Sequence, residues 1–134
     1  GKWPSHLARV QAKLGKTALS SGERMVRVDA SGKASVTDFK VVERLFGATL
    51  VEAKPVKGRT HQIRVHAQHA GHPILGDVKY SDDIQLATAR EAGLRRLFLH
   101  AHALRFELDG KTIQARAELD GELSAVCNGL SMAN

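Results

Sequence analysis

The sequence predicts an α+β domain with a mixed, mainly antiparallel sheet and flanking helices. Two observations carry this. Its β-type segments come in adjacent pairs around a turn signal, as hairpins do, and its helical segments lack the strand–helix–strand alternation of a parallel sheet. Size supplies a third: 134 residues suit one compact core rather than two.

In chain order, Gly15–Ser35 is rich in Gly, Ser and Lys and reads as loops around one short strand, Arg24–Val28. Phe39, Val41 and Leu45 before Gly47, with Leu50 and Val51 after it, predict an antiparallel hairpin turning near that glycine. A helix of about three turns is expected over His61–Ala70, with Thr60 as N-cap, Gly71 just past its end and Pro73 forbidding continuation. The segment "SDDIQLATAREAGLRRL" has Asp and Ser at its start and Gly93 near its end, and reads as a second helix. Two apolar runs then flank Asp109-Gly110, a pairing that suits a tight type I′ turn. Leu123, Val126, Cys127 and Leu130 recur at helical spacing after Asp120, which predicts a capped, amphipathic C-terminal helix.

Composition narrows the function. Apolar residues at 43% and charged residues at 25% are ordinary for a folded domain and argue against disorder. No apolar run reaches the roughly 20 residues that a membrane-spanning helix needs. The opening "GKWPSHLARVQAKL" lacks the apolar stretch and cleavage pattern of a signal peptide. The one cysteine, Cys127, excludes an internal disulfide and fits a reducing cytoplasm. Twenty Lys and Arg against 14 acids give a net charge of +6, which favours a polyanionic partner. Aromatics at 4% are too few for a base-stacking platform. Contact with nucleic acid would therefore run through phosphates, shape or one captured base.

The densest chemistry lies in "GRTHQIRVHAQHAGHPILGD", Gly58 to Asp77, which holds four of the seven histidines. A metal site fits poorly. His66, His69 and His72 lie three apart, whereas a zinc-protease helix sets its histidines about four apart around a Glu, and Arg59 and Arg64 would repel a dication. An anion site fits better. The segment enters a helix N-terminus, where unpaired N–H groups favour negative charge. His61, Arg64 and Gln68 share one helix face, while Ile63, Ala67 and Ala70 lie on another that can be buried. Arg64, one turn in, would offer a fixed donor fork to a phosphate or carboxylate. The competing reading is an internal ion pair at Arg64 with histidines that merely pack. Elsewhere, "GKT" at Gly15–Thr17 lacks the upstream glycine of a phosphate-binding loop, Val10 standing in its place. His100 and His102 alternate in an apolar stretch and read as core or sheet-face residues.

The stretch "KPVKGRTHQIRVHAQHAGHPILGDVKYSD", followed by "RLFLHAHALRF", closely resembles the RluA-type pseudouridine synthases, and among them the RluC-type group acting on large-subunit (23S) ribosomal RNA. Weaker resemblance runs back through "GKASVTDFKVVERL" and "SGERMVRV" towards the start, so nearly the whole chain is covered. The resemblance implies a largely antiparallel sheet with flanking helices, and isomerisation of uridine to pseudouridine with no cofactor and no metal. It implies that the target nucleotide is flipped into a cleft and attacked by an aspartate from an H-R-L-D-x-x-T-S-G segment. A tyrosine from a Y-x-A-x-V segment would stack on the base. Carried over residue by residue, Arg64 is the arginine that pairs with this aspartate and Leu99 the apolar wall of the cleft. Lys54, Lys57, Arg59, His61 and Gln62 would border the RNA, with Lys79 and Tyr80 at the cleft rim.

Neither the aspartate nor the tyrosine segment occurs among the 134 residues. "LDGKT" at Leu108–Thr112 lacks the flanking H-R and S-G and follows Arg64 instead of preceding it. Residues 1–134 are therefore expected to be the C-terminal portion of a catalytic domain, without its nucleophile and inactive alone. An incomplete sheet would leave an unpaired edge and invite self-association. The rival class is a non-catalytic, basic RNA-binding module.

Overall fold

The structure is a computed structural model that describes residues 1–18, 24–56, 61–101, 103–108 and 110–133. Its first sheet is built on the predicted hairpin. Strands β4 (Val36–Leu45) and β5 (Ala48–Pro55) pair antiparallel, and Leu45 faces Ala48 across a two-residue turn. Gly47 takes φ +69° there, a conformation a side chain disfavours. A short strand, β1 (Arg9–Gln11), adds to the other side of β4, giving the order β1-β4-β5.

β2 (Leu14–Ala18) and β3 (Arg24–Val28) form a second antiparallel pair. The expected strand Arg24–Val28 is present, but its partner lies in a stretch read as loop. β2 is mostly Gly, Lys and Thr, and of the pair Leu14 and Val26 are the strand residues turned fully inward. Helix α1 (Gln62–His69) crosses next, then α2 (Asp83–Glu91), the hairpin β6 (Ala103–Leu108) and β7 (Lys111–Arg116), and α3 (Gly121–Ala133). Leu108 faces Lys111, and Gly110 has φ +74°, as a tight turn requires; Asp109 lies outside the described residues. Strand pairs among the described residues are all antiparallel, and the sheet divides into three.

The two later helices start on side-chain caps. Asp82 accepts from the Gln85 amide at 2.8 Å while Gln85 reaches back to the Asp82 amide, and Asp120 accepts from the Leu123 amide at 2.9 Å. Their apolar faces meet in one cluster, Ala89, Leu94, Leu123 and Val126. Two further clusters flank α1. Ile63 and Ala70 pack on Trp3, Val10 and Phe39, and Val65 packs with Leu14, Val26 and Tyr80. Each fully buried Val or Leu stabilises by about 1.5–3 kcal/mol, so α1 is pinned between two sheets along its length.

A buried polar chain adds direction to that clamp. Gln62 Nε2 donates to the Val36 carbonyl at 2.8 Å and to Thr37 Oγ1 at 3.0 Å. Thr37 Oγ1 lies 2.7 Å from His66 Nδ1, and His66 Nε2 lies 3.0 Å from the Ala12 carbonyl. A carbonyl only accepts, so His66 donates from Nε2 and takes the threonine proton on Nδ1. With both nitrogens engaged, His66 is a structural crosspiece and not a metal ligand. The helix face expected to be buried also carries Val65 and His66, which the sequence reading had not placed there.

Candidate active site

The N-terminal turn of α1 differs from expectation. His61 is the N-cap, with no side-chain cap bond, and sits in the left-handed region at φ 51°. The expected cap, Thr60, lies outside the described residues, as do Lys57 and Arg59. The C-terminal end follows the prediction: Gly71 has φ +85° and donates to the Gln68 carbonyl.

Arg64 does have a local acid. Its Nε donates to Asp77 Oδ2 at 2.9 Å and its Nη2 to Asp77 Oδ1 at 2.8 Å, a bidentate fork. Asp77 is 1% exposed, and its Oδ1 also accepts from the backbone amides of Lys79 (3.1 Å) and Tyr80 (3.2 Å). One carboxylate therefore closes the turn after Gly76 and fixes the arginine. Gly76 is obligatory in that turn, because at φ +79° a Cβ would stand 2.1 Å from the Arg96 carbonyl oxygen. The carboxylate bonds hold the Arg64 guanidinium proton even more firmly than usual. Arg64 Nη1 has no hydrogen-bond partner among the described residues.

Beneath the arginine lies Tyr80, its ring centroid 5.0 Å from the guanidinium carbon. Its hydroxyl accepts from the Val26 amide at 3.0 Å and lies 2.8 Å from His61 Nδ1. Burial first, then Arg64 and Lys79, push the His61 imidazole below its ordinary pKa, with Asp77 opposing. His61 is therefore neutral near pH 7.

Arg64 and His61 border a hollow of about 370 Å³ whose other lining residues are Pro55, Gln62, Ile63, Leu97 and Leu99. The lining is mainly apolar, with charge at one side. Among the predicted site residues, the structure thus brings Arg64, His61, Gln62 and Leu99 together at the hollow. Two of the predicted RNA-contact residues are largely buried. Gln62 is 3% exposed, with its amide nitrogen committed to β4, and Tyr80 is 3% exposed, with its hydroxyl shared between Val26 and His61. Tyr80 supports the site from behind, and Gln62 anchors the hollow's wall to β4. Lys54 is exposed on β5 opposite Asp38, and Lys79 is half-buried beside the Asp77 turn; neither lines the hollow. His100 lies before β6, outside the strand in which it was expected, and contacts the Ala117 carbonyl at 3.0 Å; His102 lies outside the described residues. Asp77 was missed as a partner. It is the sole acid between Glu52 and Asp82 in a basic stretch, and that was the available signal.

The antiparallel α+β frame that carries this hollow and its pinned guanidinium is similar to solved domains. The fold matches the human RNA pseudouridylate synthase domain containing 1 with a TM-score of 0.71 and 29% identity, over 92% of this chain and 52% of that one. It matches the human domain containing 4 with a TM-score of 0.64 and 27% identity, over 91% and 55%. Residues 6–69 match the RNA pseudouridylate synthase family. Curated relatives include the ribosomal large subunit pseudouridine synthase C of Haemophilus influenzae, 52% identical over 97% of this chain and 41% of that protein. The protein of the same name from Escherichia coli K12 is 58% identical over 82% of this chain and 35% of that protein. The chain belongs to the RNA pseudouridylate synthase family and spans about two-fifths of the length of these relatives.

Proposed function

We propose that these residues are the C-terminal portion of the catalytic domain of a pseudouridine synthase that isomerises uridine in large-subunit (23S) ribosomal RNA, in the cytoplasm. The carrying observation is the Arg64 fork. Two of its nitrogens are locked on Asp77, the third has no partner among the described residues, and Arg64 lines an apolar hollow. A flipped uracil would lie in the hollow against Leu99 and Leu97. Arg64 Nη1 would bond the nucleophilic aspartate of the H-R-L-D segment, favouring its ionised form. That segment is not among the 134 residues, so the chain by itself has no nucleophile for the first step. Among the described residues β5 lies at a sheet edge, and this supports self-association of the isolated chain.

The Arg64–Asp77 pair also favours a second reading, a non-catalytic RNA-binding module, because an arginine already paired within its own chain needs no catalytic partner. One experiment separates the two. In the whole protein, Arg64→Ala should abolish pseudouridine formation on 23S ribosomal RNA while weakening RNA binding only as much as one lost phosphate contact. If activity and binding fall in proportion, Arg64 anchors RNA and the catalytic reading fails. The isolated 134-residue chain should form no pseudouridine.

A further inference from the structure

His61 is held in a costly conformation that brings no side-chain capping benefit. A non-glycine residue in the left-handed region stores about 1–2 kcal/mol of strain, and an N-cap side chain normally offsets it by accepting an amide hydrogen bond from its own helix. The His61 carbonyl accepts from the Val65 amide at 3.0 Å, but its side chain makes no cap bond. Its ring meets Tyr80 edge-on, centroids 5.6 Å apart, and its Nδ1 sits 2.8 Å from the Tyr80 hydroxyl.

That contact determines where the imidazole proton lies. The Tyr80 oxygen already accepts from the Val26 amide, so its own hydrogen must be donated, and His61 Nδ1 is the acceptor in reach. A neutral ring that accepts on Nδ1 carries its hydrogen on Nε2. Among the described residues Nε2 has no partner, and His61 borders the same hollow as Arg64. Tyr80 therefore organises both donors: its ring lies beneath the guanidinium and its hydroxyl selects the imidazole tautomer. The charges acting on His61 are Arg64, Lys79 and Lys16 against Asp77 alone, which favours an anionic ligand over a neutral carbonyl.

We propose that His61 is a binding residue whose Nε2–H, locked by Tyr80, donates to a phosphate oxygen of the nucleotide in the hollow that Arg64 also lines. This rests on the RNA reading above and goes beyond it by assigning a ligand group to a particular tautomer.

His61→Asn isolates the donor. Asparagine tolerates the left-handed backbone, and its side-chain oxygen can take the Tyr80 hydrogen, but it has nothing at the Nε2 position. His61→Gln keeps a donor near that position and gives up the Tyr80 bond. The probes are uridine 5′-monophosphate and, as control, uridine, titrated into the 134-residue chain with ¹⁵N-imidazole NMR as readout. The free protein should show His61 protonated on Nε2. His61→Asn should weaken nucleotide binding about tenfold, as losing one hydrogen bond to a charged group does, leave uridine binding unchanged and keep the thermal midpoint. His61→Gln should recover most of the loss. A proton on Nδ1, unchanged nucleotide affinity in His61→Asn, or a parallel loss for uridine each overturns the proposal. Ribosomal RNA binding by the same proteins separates the two claims. If the wild type binds RNA and His61→Asn has no effect on nucleotide affinity, the donor fails and the RNA reading stands; a wild type that binds neither removes both.

Discussion

Replacing Asp77 by Asn tests whether the Arg64 fork is held as the geometry indicates. The carboxylate receives four N–H groups, two from Arg64 and one each from the Lys79 and Tyr80 amides. Asparagine keeps one oxygen for the two backbone amides and Nη2, but sets its own NH₂ against Arg64 Nε, donor facing donor. It also removes the negative charge paired with a guanidinium whose side chain is 18% exposed, the acid side chain itself being 0% exposed. Removing one partner of a buried pair costs about 3–5 kcal/mol, and the residual water access of Arg64 places this variant near 3 kcal/mol. For a domain of this size that is roughly a 10 °C fall in Tm. Thermal and urea unfolding of the chain measure it. Asp38→Asn, which breaks the exposed Arg9–Asp38 pair, is the control and should barely move the midpoint, because water screens that contact. In an Arg64→Met background, Asp77→Asn should cost much less, since the charge it strands is gone. A loss below about 1 kcal/mol, or an equal loss in both backgrounds, would refute the assignment.

Tyr80→Phe keeps the ring beneath Arg64 but leaves the Val26 amide unpaired, and should lower stability by about 1–3 kcal/mol in urea unfolding; no loss would mean that amide finds water. Gly76→Ala forces a Cβ onto the Arg96 carbonyl at positive φ and should cost about 2 kcal/mol or more, read as a lowered Tm. Burial depresses the His66 and His61 pKa values below the ordinary 6.5, so the unfolded chain takes up protons first as pH falls. Stability should therefore be full above that range and decline below it, and an unchanged urea midpoint between neutral and mildly acidic buffer would contradict this. In the whole protein, Asp77→Asn frees Arg64's charge for the nucleophile, so the acid limb of the pH–rate profile should move to lower pH; an upward move would uncouple the two carboxylates.

What could be read from the sequence follows from how local its causes are. The β4–β5 and β6–β7 hairpins and α3 rest on apolar spacing and turn residues that lie side by side in the chain, and all are present. β2 was illegible because its identity as a strand depends on β3 and on the burial of Leu14, not on its own composition. The His66 chain was hidden for the same reason, since Thr37 lies 29 positions away and the Ala12 carbonyl 54. The start of α1 was misplaced by one residue because cap preference weighs side-chain chemistry. Here contact with Tyr80, 19 positions on, accompanies a left-handed His61.

The site was half legible, and the missing half changes its chemistry. Arg64 could be recognised from its surroundings, but its charge is already balanced by Asp77. An incoming carboxylate or phosphate therefore meets a neutral pair with one guanidinium nitrogen unengaged and not a bare cation. Attraction at a distance must come from neighbours such as Lys79, and Arg64 acts at close range through the direction of Nη1. On the proposed reading the labour divides: Asp77 fixes the guanidinium plane and Tyr80 packs beneath it, while a ligand filling the hollow against Leu97 and Leu99 would itself exclude water, so that a single oriented hydrogen bond would carry weight. On this view the arginine's value lies in immobility. A lysine at the same position would keep the charge, lose the fork, and with it the fixed geometry.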